Sequence, residues 1–354
     1  MLMNYYRHID RNQVQFDFLC NKTKPGAYDD EVQRLGGRIY HTPGLNPAKY
    51  PLYLKYMKKL FDGHPEYKIV EAHNGALGVY ALHAAKVNNI PVRIYHAHGA
   101  SITKDWKLPL KLFCRSRLEA NITERYTCGK AAAECYYGKE VVEKGNYDFI
   151  PNAIEVDRFL YNPQVRDKMR QQYQLEGKHV IGHVGRFMAQ KNHTFLLDVF
   201  AAYKKEDKDA YLVLLGDGEL METVKNKAKE LGVADSVLFV GNVGNANEWY
   251  QAFDVFMLPS IWEGLPVVGV EAQAADLPCI FSDNVTKEIG LSDKASFLSL
   301  HADMSSWVSE IRQKMQMTQR VNQEALITEN HYNIEKEAVL LQERYLKLYG
   351  ENTL

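Results

Sequence analysis

Residues 179–215 read HVIGHVGRFMAQKNHTFLLDVFAAYKKEDKDAYLVLL. An apolar run ends on Gly185, a helical stretch follows at 192–204, and a second apolar run fills 210–215. The pattern continues with SVLFV at 236–240, FDVFML at 253–258 and PCIF at 278–281. These runs are almost continuously apolar, as parallel strands buried on both faces must be. Helical segments at 219–231, 246–253 and 266–275 separate them. Strand alternating with helix means an α/β fold built on a doubly wound, Rossmann-like sheet. Ligands of such sheets bind at the carboxyl ends of the strands.

The first half repeats the pattern less cleanly. Strands are expected at 14–19 (VQFDFL), 69–73 (IVEAH), 92–95 (VRIY) and 147–150 (YDFI), with helices at 51–60 and 78–87. The 354 residues therefore divide into two Rossmann-like domains, 1–155 and 164–330, joined near 151–163. EKEAVLLQERYLKLY at 335–349 has an apolar stripe. It belongs to a terminal segment, 331–354, expected to pack back on the N-terminal domain. Two such domains facing a cleft suit a nucleotide-linked substrate, because closure excludes water.

Composition narrows the function classes. With 46% hydrophobic and 25% charged residues the chain is not disordered. No run reaches the roughly 18 apolar residues that cross a bilayer, and residues 1–11 lack the apolar core of a signal peptide. The five cysteines are odd in number and match no zinc or redox spacing, which points to free thiols in the cytoplasm. A net charge of -1 argues against a nucleic-acid partner. The charge is split, +7 over residues 1–150 and -8 over the remainder, so the first half is expected to face something anionic.

SIWEGLPVVGVEAQ, residues 260–273, is the most informative motif. Gly264 permits close backbone approach, and Pro266 suits a first helical turn. The N–H groups of Leu265, Val267 and Val268 would be free there and suit an anion such as diphosphate. Glu263 precedes the helix. Glu271, about two turns further on, is placed to accept hydrogen bonds from a diol. The blander reading is a solvated glutamate and a helix cap. A second motif is Gly185-Arg186-Phe187, then Lys191-Asn192, again between strand and helix. The glycine admits a phosphate, Arg186 offers a planar fork, and Lys191 adds a compact charge. Cations at a helix start oppose its dipole, and a bound diphosphate would supply the reason. Gly216-Asp217-Gly218 is a tight turn that alone carries little. His183, in mid-strand, reads as a core histidine.

EGLPVVGVEAQ resembles the Glu-x7-Glu motif of glycosyltransferase family 4. GHVGRFMAQKNH, GDGEL, SVLFVGNV and DVFMLPS fall in that family's order, and PNAIEVDRF resembles its interdomain segment. NYYRHIDRNQVQFDFL, DDEVQRLGGRIY and PVRIYHAHGAS extend the likeness over nearly the whole chain, closest to bacterial exopolysaccharide and capsule glycosyltransferases. The resemblance implies the GT-B architecture and retention at the anomeric carbon. It also implies a nucleotide-sugar donor, a UDP-sugar by expectation, and no metal or other cofactor. By the same resemblance Arg186 and Lys191 neutralise the leaving diphosphate beside Gly185, and the helix opening at Pro266 binds it through Gly264, Leu265 and Val267. Glu263 holds sugar hydroxyls, Glu271 the ribose, and Asn242 and Val243 the base through the backbone. A histidine of His96-Ala97-His98-Gly99 would meet the sugar. The strand end favours His96 and reach into the loop favours His98; either could orient the sugar or relay a proton near neutral pH. His73 is a further strand-end candidate.

These roles cohere. Positive charge grows on the sugar ring and negative charge on the departing phosphate, and preorganised donors lower the barrier. Asp207-Lys208-Asp209 has the shape of a metal-binding Asp-x-Asp but lies in a charged helix end, so no metal is expected there. From Lys104 to Arg117, KDWKLPLKLFCRSR interleaves five cations with Trp106, Leu108, Leu110, Leu112 and Phe113. Such a surface suits anionic lipid and a lipid-linked saccharide acceptor at the inner membrane face. Two departures from the family are tolerable: Glu71 and Ala153 stand where His and Gly are common. A third is larger. A first strand and Gly-rich loop, roughly 20 residues and central to a doubly wound sheet, are expected ahead of MLMNYYRHID. Their absence would leave strand edges unpaired. The rival readings are a nucleotide-sugar-binding inactive subunit or truncated copy, and a nucleotide-sugar epimerase.

Overall fold

The computed structural model describes residues 1–21, 24–42, 47–102 and 105–353. The chain forms two compact units, one of residues 1–153 with 334–354 and one of residues 154–333.

The second unit holds one six-stranded sheet. In chain order its strands are preceded by six in the first unit: β1 (Phe18–Cys20), β2 (Ile39–His41), β3 (Ile69–Ala72), β4 (Val92–Ala97), β5 (Glu124–Thr127) and β6 (Asp148–Phe149). Those of the second unit are β7 (His179–Val184), β8 (Ala210–Leu215), β9 (Val237–Gly241), β10 (Val255–Leu258), β11 (Cys279–Ser282) and β12 (Ala295–Leu298). The spatial order in the second unit is β12-β11-β10-β7-β8-β9, every pair parallel. The chain starts in the middle at β7, builds out through β8 and β9, then returns to lay β10 on the other side of β7. The strand order therefore reverses between β7 and β10, and a crevice at their carboxyl ends is where such sheets bind ligands. The core beneath is continuous. Ile181, Leu212, Leu214, Val255, Met257 and Ile280 pack with Leu196, Val199 and Phe200 of the helix His193–Glu206 and with Trp307 of the helix Met304–Met315. β12 and the helix Met304–Met315 carry no marked sequence motif and are additions to the sequence reading.

The sheet of the first unit is divided in two, in line with the unpaired strand edges expected above. β1 and β2 pair in parallel as one small sheet, and β3-β4-β5-β6 form another. Side chains rather than backbone ladders join them. Phe18 and Ile39 pack with Ile69, Ile94 and Tyr126, and the Tyr67 hydroxyl donates to the Asp17 carboxylate. β2 and β5 are strands that the sequence reading did not mark. β2 is only three residues long and β5 opens on Glu-Arg, so neither shows a continuous apolar run. The helix Ile334–Thr353 packs on this unit through Ile334, Ala338, Leu341 and Tyr345.

All five cysteines are free. Among the described residues no helix is long and apolar enough to cross a membrane.

Candidate functional site

The loops that leave β7 and β10 meet at the reversal point. Ile261 N–H donates to Gln190 C=O at 2.8 Å, and Asn192 Nδ2 donates to Pro259 C=O at 3.2 Å. Asn192 takes a left-handed backbone, φ 57°, which turns the chain into the helix His193–Glu206. Lys191 is thereby held against Glu263. Its Nζ donates to Oε1 at 2.5 Å, and both side chains are largely buried. Ser260 Oγ donates to the same oxygen at 3.0 Å, and Gln190 Nε2 to Oε2 at 3.1 Å. Ser260 is itself fully buried, and its carbonyl accepts from Ser282 Oγ on β11. Three donors from two loops thus fix one carboxylate at the crevice. Sequence reasoning named Lys191 and Glu263. It missed Gln190 and the hydroxyl of Ser260, whose one signal was adjacency to a motif residue.

The backbone around this pair is tightly nested. Gly185 N–H donates to Leu215 C=O at 2.9 Å, Gly216 N–H to Gly241 C=O at 2.8 Å, and Phe187 N–H to Asp217 C=O at 3.0 Å. A Cβ on Gly216 would lie 2.1 Å from the Gly185 carbonyl oxygen, and one on Gly218 would lie 2.5 Å from that of Phe187. The Gly216-Asp217-Gly218 turn is therefore required for the loops after β7 and β8 to touch, a larger role than a connector. Asn242 and Val243 follow β9 at the same edge, Asn242 exposed and Val243 half-buried.

The helix after β10 begins at Val267, with Pro266 as its cap, one residue later than expected. Gly269 N–H is taken by Pro266 C=O at 2.9 Å. The N–H groups of Val267 and Val268 have no hydrogen-bond partner among the described residues. Gly264 and Leu265 lead into this start and are half-buried. Glu271, inside the helix, accepts from Tyr250 Oη at 2.7 Å. Burial pushes its carboxyl up, and the Tyr250 hydrogen bond works against that. Tyr250 is a second residue that sequence reasoning missed.

Arg186 is not brought to this pair. Its guanidinium is mostly exposed and lies 3.4 Å from Glu219 Oε2, a surface contact of small worth. His183 is a fully buried core histidine whose Nδ1 bonds Met257 C=O at 2.8 Å. Burial pushes it down to about 4. Asp207 and Asp209 are engaged structurally, Asp207 by His179 and Tyr203 and Asp209 by Lys178.

In the first unit, His96 is the penultimate residue of β4 and His98 follows the strand. His96 is buried, with Nδ1 2.9 Å from Glu71 Oε1 and Nε2 3.3 Å from Ile150 C=O. That corrects the candidacy of His96: both nitrogens are turned to protein acceptors and none is open to a sugar. His98 is partly exposed, and His73 joins it to the same glutamate. Burial, with the His96 and His73 rings adding to it, pushes His98 down to about 2. It is therefore neutral at physiological pH and suited to hydrogen bonding rather than to proton relay. Nitrogens of His73, His96 and His98 lie within 4.8 Å of one another, a spacing a metal could use. The His96 and His98 rings, however, are stacked 4.2 Å apart and 17° from parallel. Their in-plane lone pairs run side by side and do not converge on one ion, as tetrahedral ligation requires.

The segment from Lys104 to Arg117 folds as the helix Leu108–Ser116 with a preceding turn; Lys104 itself lies outside the described residues. Cys114 and Leu118 face the core, while Trp106, Leu112 and Phe113 are exposed, Trp106 at 86%. Lys107 Nζ sits 5.0 Å from the Trp106 ring, and the Arg117 guanidinium 5.4 Å from the Phe113 ring.

A family model described as glycosyl transferases group 1 matches residues 165–295, which span the Lys191–Glu263 crevice. The chain is 36% identical over 317 residues to the putative glycosyltransferase EpsF of Bacillus subtilis (strain 168), covering 88% of this chain and 82% of that protein. It is 27% identical over 290 residues to a UDP-Gal:alpha-D-GlcNAc-diphosphoundecaprenol alpha-1,3-galactosyltransferase of Escherichia coli, covering 78% and 73%. The protein belongs to the group 1 glycosyltransferases. Its fold is that of GT-B glycosyltransferases. HepE of Anabaena, solved in complex with UDP, superposes with a TM-score of 0.70 over 96% of this chain and 98% of that one at 16% identity. Sucrose-phosphate synthase from Thermosynechococcus elongatus does so at 0.69, covering 95% and 90%, also at 16% identity.

Proposed function

We propose that the protein is a retaining, family 4 glycosyltransferase that moves a hexosyl or N-acetylhexosaminyl unit from a UDP-sugar to a lipid-linked saccharide in surface polysaccharide synthesis. The observation that carries the reading is the Lys191–Glu263 pair at the strand-order reversal, beside two unpartnered helix N–H groups. The donor diphosphate would take the Val267 and Val268 N–H groups, approach over Gly185, and draw the cations Lys191 and Arg186. Glu263, already ordered by Ser260 and Gln190, would accept from sugar hydroxyls, and Glu271, held by Tyr250, from the ribose. Asn242 and Val243 stand where the base would pair with backbone. As the glycosidic bond breaks, the two cations and the helix start meet the charge on the leaving phosphate, and the chemistry needs no metal.

The choice of donor is supported by the UDP named for HepE and the UDP-Gal named for the Escherichia coli relative. The same relative's diphosphoundecaprenol acceptor supports a lipid-linked one here. Trp106, Leu112 and Phe113, ringed by Lys107, Lys111, Arg115 and Arg117, would let the protein rest on anionic lipid at the cytoplasmic face, where such acceptors are held. Incubation of the purified chain with UDP-sugars and membrane extract tests the reading. Sugar transfer to lipid that requires Glu263 supports it. Donor binding without transfer would favour the inactive-subunit reading, and donor conversion without acceptor the epimerase.

A further inference from the structure

The loop from β10 to the helix Val267–Ala274 carries two large apolar side chains that folding leaves in water. Ile261 is 42% exposed and Trp262 is 52% exposed. Trp249 and Trp307, the other indoles of the second unit, are fully buried. Tryptophan is highly buried on average, because its large apolar surface gains much from leaving water. A loose backbone does not account for the exposure. Ile261 N–H donates to Gln190 C=O at 2.8 Å, and Gln190 Nε2 donates to Trp262 C=O at 3.0 Å. On one side the Ser260 carbonyl accepts from Ser282 Oγ, and on the other Glu263 forms a parallel bridge with Val285. Trp262 is therefore pinned along its backbone while its side chain stands half in solvent. Its indole N–H makes no hydrogen bond among the described residues. A ring mounted in this way loses little freedom when something binds to it.

Position along the sheet says which part of a ligand would meet that ring. β9, whose end leads to Asn242 and Val243, lies three strands from β10. At about 4.8 Å per strand the two ends are about 14 Å apart. A donor laid with its base at β9 and its diphosphate over β7 brings its sugar, and the acceptor that attacks it, to the end of β10. Glu263 offers the polar contact there, and Trp262 is the residue before it.

We propose that Trp262 is a sugar-stacking, specificity-determining residue: its ring face receives the apolar C–H face of a pyranose, and its N–H is left to meet a hydroxyl oxygen. The ligand class follows from the chemistry. A pyranose carries hydroxyls around its rim and C–H bonds on its faces, so carboxylates recognise the rim and leave a face uncovered. An indole offers an apolar face of matching size with one polar handle. The ring is the sugar of the nucleotide donor or the first sugar of the acceptor, which present the same chemistry. The base is not the occupant, since its end of the sheet is the far one. The proposal rests on the transferase reading above and adds a preference among sugars: a face interrupted by an axial hydroxyl stacks less well.

Titration calorimetry of the full chain with UDP, UDP-glucose, UDP-galactose and UDP-N-acetylglucosamine, joined to transfer assays on membrane extract, tests it. In Trp262→Ala the affinity for UDP should stay within about twofold of wild type. If the donor sugar is the occupant, affinity for at least one UDP-sugar falls by about tenfold. If the acceptor sugar is, donor affinity holds and the apparent KM for the extract rises by about tenfold. Trp262→Phe should recover most of the loss, and Trp262→Leu, apolar but without a ring face, should recover little. Equal behaviour of those two variants overturns the stacking, as does a loss of UDP affinity as large as that of UDP-sugar affinity. A Trp262→Ala chain that matches wild type in every assay also overturns it. A second measurement leaves Trp262 in place. Trp106→Phe makes Trp262 the one exposed indole among the described residues. Its emission should shift with the UDP-sugar in the first case, or with extracted lipid acceptor in the second, and stay still with UDP alone. Emission that answers UDP alone as fully, or answers nothing, contradicts the proposal. Wild type that binds neither UDP nor any UDP-sugar faults the transferase reading itself, whereas binding of all of them with Trp262→Ala indistinguishable faults the stacking alone.

Discussion

The second unit builds its site where two motif-bearing loops meet, and the first builds its own from a strand, two loops and a helix. Lys191, Gln190, Ser260 and Glu263 come from two loops that leave adjacent strands of one parallel sheet, and each loop carries its glycine or proline punctuation. Glu71 lies on β3, His73 and His98 lie in the loops after β3 and β4, and Tyr345 lies on the helix Ile334–Thr353. The difference is one of charge as well as construction. One site is a cation held to a carboxylate beside unpartnered N–H groups. The other is a run of imidazole rings beside a buried carboxylate.

The largest expected effect breaks the first of these. Glu263→Ala should cut turnover by about 100-fold or more in steady-state assays, because the sugar loses an acceptor held ready for it. Lys191→Ala should do the same and also destabilise the fold by about 3 kcal/mol, since a largely buried Glu263 is left without its cation. Arg186→Ala sharpens the contrast. It should also cost about 100-fold in turnover yet leave the melting temperature unchanged, because Arg186 has no structural partner of weight. Equal loss of melting temperature in the two variants would refute the distinction.

Acidification comes next. Burial holds His183 down to about 4 and His193 to about 2 in the second unit, and His98 to about 2 in the first. Below the usual histidine value near 6.5 the unfolded chain takes up protons that the folded chain refuses, so stability falls as pH falls. The loss is about 1.4 kcal/mol per pH unit for each of the fully buried His183 and His193. Thermal unfolding between pH 7 and pH 5 should show this steady decline; a flat profile would place these rings in contact with water. Tyr345→Phe is smaller. It removes one donor from the Glu71 carboxylate and should cost about 2 kcal/mol, measured by denaturant unfolding. The smallest effect is on the surface. Trp106→Ala should weaken sedimentation with vesicles containing anionic lipid and leave UDP binding untouched.

How much of this was legible in the sequence follows the same division. The second unit's strands were readable because burial on both faces makes them continuously apolar, and β8 falls at the very residues expected. Its motif loops were readable because a strand-to-helix turn draws glycine and proline into a short stretch. In the first unit an unpaired strand edge was expected, but the pairing of the individual strands was not readable. β2 is three residues, Ile-Tyr-His, and β5 is Glu-Arg-Tyr-Thr, and nothing local says which edges pair. The choice between His96 and His98 was equally closed to sequence reasoning. They sit two residues apart, and only the burial of His96 between Glu71 and Ile150 separates them. Arg186 shows the converse: its motif position was plain, but its contact with Glu219 rather than Glu263 was not.

The most direct test is hydrogen–deuterium exchange of the full chain with and without UDP, with GDP as a second probe. With UDP, slowed exchange is expected in three stretches: 185–191, 241–243 and the amides of Val267 and Val268, which have no hydrogen-bond partner among the described residues. UDP that binds and protects other segments while leaving Val267 and Val268 unchanged would contradict the placement of the donor at the meeting of β7 and β10.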